Sequence, residues 1–279
     1  MNNRNPLGAA KHWFSQLQSR ATASRGRRLE VAALPRVGGL ASIPSRADDL
    51  GQVLDRIVPQ VERLHLFLHG YNAIPPEALH PRIIPVLAPR AHPYRASGKF
   101  YGLSQEATPC LYACFDDDIL YPPDYVARIA RALIRQEGNA VVGFHAFRHL
   151  PPYESYIRDR RPYYFGRRLL LETQVDELGA GTMGFVSSRL PIDPPSWKYG
   201  DTDDLSVAIE AERLGLRRLA LPRPRRYLRG IRRHQTESLW QSVLEDESRS
   251  VEMMRVLART MGRLPDEPSH PNTSRQPPA

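Results

Sequence analysis

The chain has 279 residues, 41% of them hydrophobic, enough to bury one large α/β core or two small ones. Its 39 Lys and Arg against 30 Asp and Glu leave a formal charge of +9, which attracts nucleic acid, anionic lipid or phosphorylated small molecules without choosing among them. No run approaches the ~18 apolar residues that span a bilayer, and no charged-then-apolar start resembles a secretory signal, so a cytoplasmic protein is expected.

Residues 1–29 carry Arg4, Lys11, Arg20, Arg25, Arg27 and Arg28 and no acidic residue. This basic arm reads either as a flexible extension or as an interfacial helix, with Trp13, Phe14 and Leu17 on one face, peripherally associated with an anionic membrane. Residues 40–43 form a short strand. Leu50, Val53, Leu54, Ile57 and Val58 follow at the spacing of an amphipathic helix opened by Asp48 and Asp49. Strands are predicted at 64–68, 83–87 and 110–115. Cys110 and Cys114 then point to one face of the last of these as reduced core residues. Val126, Ile129, Ala130, Leu133 and Ile134 predict a second amphipathic helix, before a strand at 140–144. Alternating strands and helices predict a single α/β domain over 30–264, with a mainly parallel sheet and helices on both faces. Residues 265–279, with five prolines among polar residues, cannot bury enough surface to fold and are expected to be a disordered tail.

Chemistry concentrates in four places. Asp116, Asp117 and Asp118 follow an apolar strand and precede Tyr121, Pro122 and Pro123. Three adjacent carboxylates where a strand runs out repel one another, and a hard divalent cation, Mn²⁺ or Mg²⁺, would neutralise them; a solvated acidic turn or helix start is the plainer alternative. Asp201, Asp203 and Asp204 stand directly before the helical pattern Leu205, Ala208, Ile209, Leu214. Helix capping explains one or two of them but does not need three. Between these clusters, the small residues of 178–185 permit close backbone approach to a ligand, or a tight turn packed on the sheet. Finally, Arg223, Arg225, Arg226, Arg229, Arg232 and Arg233 crowd into eleven positions with Tyr227 and His234, as a solvated basic surface or as a clamp on phosphates.

Five segments, ASIPSR (41–46), GKF (98–100), FDDDILYPPDYV (115–126), LGAGTMGF (178–185) and GDTDDLSVAIEAERLG (200–215), occur in an order that resembles bacterial GT-A-fold glycosyltransferases similar to family 2. The resemblance covers roughly residues 40–257 and implies a Rossmann-like GT-A domain, a nucleotide-sugar donor taken as UDP-linked, a divalent metal and inversion at the anomeric carbon. The acceptor would be a hydroxyl of a surface glycan or lipid-linked glycan. By position, Asp116 and Asp118 match the two acidic places of the DxD motif, Asp118 as the better metal ligand and Asp116 nearer the ribose, with Asp117 touching either. Pro44, Ser45 and Arg46 match the segment bordering the base, and Lys99 a basic residue facing the phosphates. Asp203 and Asp204 match an acidic pair that includes the general base, with Asp204 the first choice. Arg232 and Arg233 are further expected on the donor, His234 on the metal, and Gly181 and Thr182 on the acceptor. Ala180, where a polar residue is often found, departs from the pattern.

Two other readings compete. A nucleotidyltransferase or another metal-dependent phosphate enzyme would use the same acidic strand ends and arginines. A nucleic-acid-binding protein would use the charge, but no zinc spacing, RNA-binding aromatic motif or glycine-rich basic repeat accompanies it, and no nucleic-acid partner is expected.

Overall fold

Strand and helix alternate as the periodicity predicts, with additional short strands in the second half. The computed structural model describes residues 6–200, 202–231 and 239–265, and the side chains of 6–18, 239, 240 and 242 lie outside that description. In chain order the elements are α1 (Pro6–Ala32), β1 (Arg36–Ser42), α2 (Ala47–Ile57), β2 (Arg63–His69), β3 (Ile83–Ala88), a 3-10 segment (Arg95–Gln105), β4 (Leu111–Asp116), β5 (Ile119–Leu120), α3 (Tyr125–Arg135), β6 (Ala140–Gly143) and β7 (Ala146–His149). They continue with β8 (Arg160–Tyr163), β9 (Thr173–Gln174), β10 (Glu177–Leu178), β11 (Met183–Val186), α4 (Asp203–Arg213), β12 (Arg217–Ala220), β13 (Arg229–Gly230), α5 (Leu239–Glu245) and α6 (Ser248–Thr260).

The main sheet has the order β3-β2-β1-β4-β11-β6-β12-β9. Its first four strands are mutually parallel, as are β6 and β12, whereas β11 runs antiparallel to both β4 and β6. The sheet is therefore mixed but mainly parallel, and β11 comes from the small-residue segment that the periodicity leaves as loop or turn.

Burial on both faces follows from period-2 alternation in β4. Leu111, Ala113 and Phe115 pack with α2 and α3 in one core, and Cys110, Tyr112 and Cys114 face the other core with Phe100 and residues of α4. Both cysteines are buried free thiols, as expected. Leu205, Ala208 and Ile209 of α4 pack outward on Met253, Met254 and Leu257 of α6.

The 3-10 segment crosses β1 and β2 at very short range. A Cβ on Gly39 would run into the Lys99 carbonyl and the Tyr112 hydroxyl, and one on Gly98 into the Phe67 ring. Glycine at these two positions is what lets Lys99 reach the end of the sheet.

At the N-terminus α1 runs without a break past residue 29, so the basic arm continues into the domain as one helix. Val31 joins the core, Arg27 pairs with Glu137 (2.5 Å), and Ser24 donates to the same carboxylate. The expected Trp13, Phe14 and Leu17 face and residues 266–279 lie outside the described residues. Among the described residues no helix is long and apolar enough to cross a membrane.

Candidate active site

β1 sits between β2 and β4, with chain connections leaving in opposite directions, and this is where an open α/β sheet forms a crevice beyond its carboxyl ends. Ala41 near the end of β1 lies in register with Asp116 at the end of β4. The segments that follow, 44–46 and 117–118, therefore enter the crevice together. A cavity of about 1230 Å³ opens there. Every expected site residue that the structure describes lines it: Pro44, Ser45, Arg46, Lys99, the three aspartates 116–118, Gly181, Thr182, Asp203 and Asp204. Arg232, Arg233 and His234, like Asp201, lie outside the described residues.

The carboxylates are held by two cations in a fixed pattern. Arg46 donates to Asp117 and stands 3.3 Å from Asp118 Oδ2. The Lys99 ammonium pairs with Asp116 and lies 3.8 Å from Asp203 Oδ2. Lys99 thus joins the two acidic clusters, which are 87 positions apart in the chain, and its ammonium is turned to aspartates. Burial works against its charge, but Asp116 and Asp203 outweigh that and raise its pKa.

Tyr121 ties the same region together. Its hydroxyl accepts the Asp116 N–H (2.7 Å) and donates to the Gly181 carbonyl (2.6 Å). A residue that reads in the sequence as the start of a chain-breaking Tyr-Pro-Pro therefore locks the end of β4 to the turn before β11. Gly181 is needed for that approach, because a Cβ there would overlap the Asp116 carboxylate. Gly181→Ala should destabilise the fold by about 1–3 kcal/mol through overpacking. Urea unfolding checks it, with Gly166→Ala as control, since nothing lies within 4 Å of a Cβ at Gly166.

Asp203 and Asp204 open α4, yet the helix N-cap, Thr202, makes no side-chain capping bond. Asp203 Oδ1 accepts the Asp204 N–H (3.2 Å), while its buried Oδ2 has no hydrogen-bond partner. Asp204, the more exposed of the two, reaches across to accept the Ala180 N–H (2.6 Å). Capping its own helix is therefore not what occupies Asp204. Burial raises both pKa values, and the charge of Asp203 pushes that of Asp204 up further.

On the other side of the crevice, burial and the neighbouring Asp116 charge push the Asp118 carboxyl up to about 6, against the opposing pull of Arg46. Its charge is thus incompletely compensated by the protein. Among the described residues no three His, Cys, Asp or Glu side chains converge as a metal site. The described share of a cation site is the Asp116 and Asp118 pair. One or two carboxylates completed by phosphate oxygens and water is the usual way Mg²⁺ is held, so this donor set fits a hard divalent ion.

Several cavity residues carried no signal in the sequence. His69 and Arg90 line the side of β2 and β3, and Phe147, Tyr156, Arg160 and Tyr164 line the side beyond Asp204. His145 lies near Thr182, whose hydroxyl accepts its backbone N–H (2.9 Å), and burial pushes its imidazole down to about 4, so the ring is neutral at physiological pH. These residues are scattered over β2, β7, β8 and the loops after β3, β6 and β8, with Tyr156 between β7 and β8, and only the fold assembles them.

No family model matches the chain. No curated protein matches it either. Among solved structures the chain is similar to GalNAc-T7 with UDP, GalNAc and Mn²⁺, at 6% identity and a TM-score of 0.49 over 68% of this chain and 42% of that one. It thus spans less than half the length of GalNAc-T7. It is also similar to the mannosyltransferase PcManGT from Pyrobaculum calidifontis in complex with GDP-Man and Mn²⁺, at 14% identity and a TM-score of 0.46 over 87% of this chain and 84% of that one. A third similar structure is a mycobacterial protein, at 14% identity and a TM-score of 0.44 over 87% and 80% of the two chains. At these identities and scores the likenesses assign no activity to the chain, and its chemistry rests on its own residues.

Proposed function

We propose that the chain is a glycosyltransferase that moves a sugar from a nucleotide-sugar donor, taken as UDP-linked, to a hydroxyl of a glycan or lipid-linked glycan, with inversion and with Mn²⁺ or Mg²⁺ as cofactor. The observation that carries this reading is the pairing of two acidic clusters across one buried lysine at the mouth of the sheet, Asp116 to Asp118 on one side and Asp203 and Asp204 on the other. One cluster suits a cation and a diphosphate; the other offers a carboxylate separated from them.

In this reading Pro44, Ser45 and Arg46 border the nucleoside, Asp118 and Asp116 hold the cation, and Gly181 and Thr182 border the acceptor. The bound cation would offset the negative charge that grows on the departing diphosphate. Arg46 and Lys99 fix the carboxylates so that little reorganisation is needed as that charge develops. Asp204 takes the acceptor hydroxyl proton as the oxygen bonds to the anomeric carbon and the bond to the diphosphate breaks. The Ala180 N–H holds one Asp204 oxygen and so orients the carboxylate.

Thermal-shift screening against UDP-, GDP-, CMP- and TDP-sugars with Mn²⁺ and with chelator tests the proposal, because a ligand that binds only the native state raises the melting temperature. The expected result is a rise with one nucleotide that needs the metal and is absent in Asp118→Ala. An equal rise in chelator would remove the metal site. The product then separates reaction classes: release of nucleoside diphosphate from the donor (CMP from a CMP-sugar) supports glycosyl transfer, whereas release of pyrophosphate when a nucleoside triphosphate and a sugar phosphate are supplied supports a nucleotidyltransferase.

A further inference from the structure

Two surface segments, near residues 164–172 and 222–229, join beside the cleft. Leu169 and Arg223 exchange backbone bonds of 2.9 and 2.8 Å, and the Arg226 N–H adds one to the Gly166 carbonyl (2.9 Å). The buried Arg223 guanidinium closes the join by donating to the Tyr163 and Tyr164 carbonyls at 2.6 and 2.9 Å. This well-tied structure nevertheless holds Leu170 and Leu171 out at 66% and 75% exposure.

A single exposed leucine is ordinary on a protein surface. Here two adjacent ones project from an anchored loop just after the exposed Arg167 and Arg168, and the paired segment sets the exposed Arg225 and Arg226 beside Gly166 at the other end of the same join. Among the described residues no ion pair engages any of these four arginines. An apolar tip beside a cationic patch matches an anionic bilayer at both levels, the leucines entering the acyl boundary and the guanidinium groups meeting headgroup phosphates. Nucleic acid would use the arginines but leave the leucines in water.

Beyond Leu171 the surface carries two ion pairs, Arg135 at the end of α3 with Glu172 (2.8 Å) and Arg27 of α1 with Glu137 (2.5 Å), before the exposed Arg20 and Arg25 of the N-terminal helix. Tyr164 and Phe165 from the first segment and Gly230 and Ile231 after the second line the cleft.

We infer that Leu170, Leu171 and the adjoining patch of Arg167, Arg168, Arg225 and Arg226 dock the protein on an anionic phospholipid bilayer, with the cleft near the lipid surface. That position suits a lipid-carried acceptor, a point that rests on the transferase reading; the docking itself does not.

Co-sedimentation of the full chain with phosphatidylcholine vesicles, and with vesicles that also contain phosphatidylglycerol, tests it. The protein should pellet with the anionic vesicles only, and less at high salt. Leu170→Ser with Leu171→Ser should lower the partition coefficient about tenfold or more, with melting temperature and nucleotide-induced shift unchanged because both side chains are exposed. Glu at all four arginines should abolish pelleting. Three results would overturn the inference: no binding by the full chain, wild-type binding by the leucine variant, or loss of binding in Arg20→Glu with Arg25→Glu while the leucine variant is unaffected. Each is read without the transfer assay, so a failed transferase proposal and a failed docking proposal remain distinguishable.

Discussion

Asp204→Asn is expected to lower sugar transfer by about two to four orders of magnitude while leaving the fold and nucleotide affinity near wild type. Asparagine keeps the shape of the side chain, and its carbonyl oxygen can still accept the Ala180 N–H that holds Asp204 in place. Only proton acceptance is lost. The neighbouring change separates this role from a structural one. Asp203 Oδ2 lies 3.8 Å from the Lys99 ammonium, so Asp203→Asn should act mainly through Lys99 and Asp116, on nucleotide affinity rather than on turnover. Burial and the Asp203 charge hold Asp204 well above the usual carboxylate range. A base works only when ionised, so kcat/KM should fall as the pH drops through that elevated value. Removing the Asp203 charge should move this acid limb to lower pH, a displacement that a helix cap would not produce. Transfer rates and pH profiles of the two variants decide the matter, and near-normal turnover in both would return the pair to a structural role.

The fold was legible where one period dominates a stretch. Leu50, Val53, Leu54 and Ile57 repeat at helical spacing and are buried in α2, and the apolar run before Asp116 is β4, buried on both faces. Periodicity also put the three aspartates at a strand end, and the sheet order then made that end a crevice. It did not reveal β11, because Met183 to Val186 follows a run of small residues that serves a turn equally well and becomes a strand only by inserting between β4 and β6. Nor did it reveal the burial of Lys99, which depends on two glycines of different elements, Gly39 against Lys99 and Tyr112 and Gly98 against the Phe67 ring. Tyr121 looked like punctuation because Pro122 and Pro123 follow it. The partners of its hydroxyl, at Asp116 and Gly181, are five and sixty positions away, and no local pattern encodes the second. The residues beyond Asp204 escaped for the same reason, since β7, β8 and their loops are too short to carry a period and meet only in three dimensions.

Lys99→Met should destabilise the fold by about 3 kcal/mol, the lower end of the ~3–5 kcal/mol expected when one partner of a buried ion pair is removed. Methionine fills much of the same volume, so packing changes little and the loss is electrostatic. The lower end applies because Lys99 is buried while the Asp116 side chain is 34% exposed, and water screens part of the charge left behind. Asp203 has less access to water and already has a raised pKa from burial, with Lys99 as the main opposing influence. Without the lysine that rise grows, and the folded state binds more protons than the unfolded chain above the ordinary carboxylate value of about 3.9. Stability of the variant should therefore fall as pH rises from about 4 and recover on acidification. Asp116→Asn added to Lys99→Met should restore part of the loss, because the stranded charge is gone, and the coupling between the two sites is measured by a double-mutant cycle. Urea unfolding of the metal-free protein at several pH values is the experiment. Equal stability of wild type and Lys99→Met at neutral pH would mean that the aspartates need no cation from the protein, and the account of Lys99 as the residue joining the two clusters would fall.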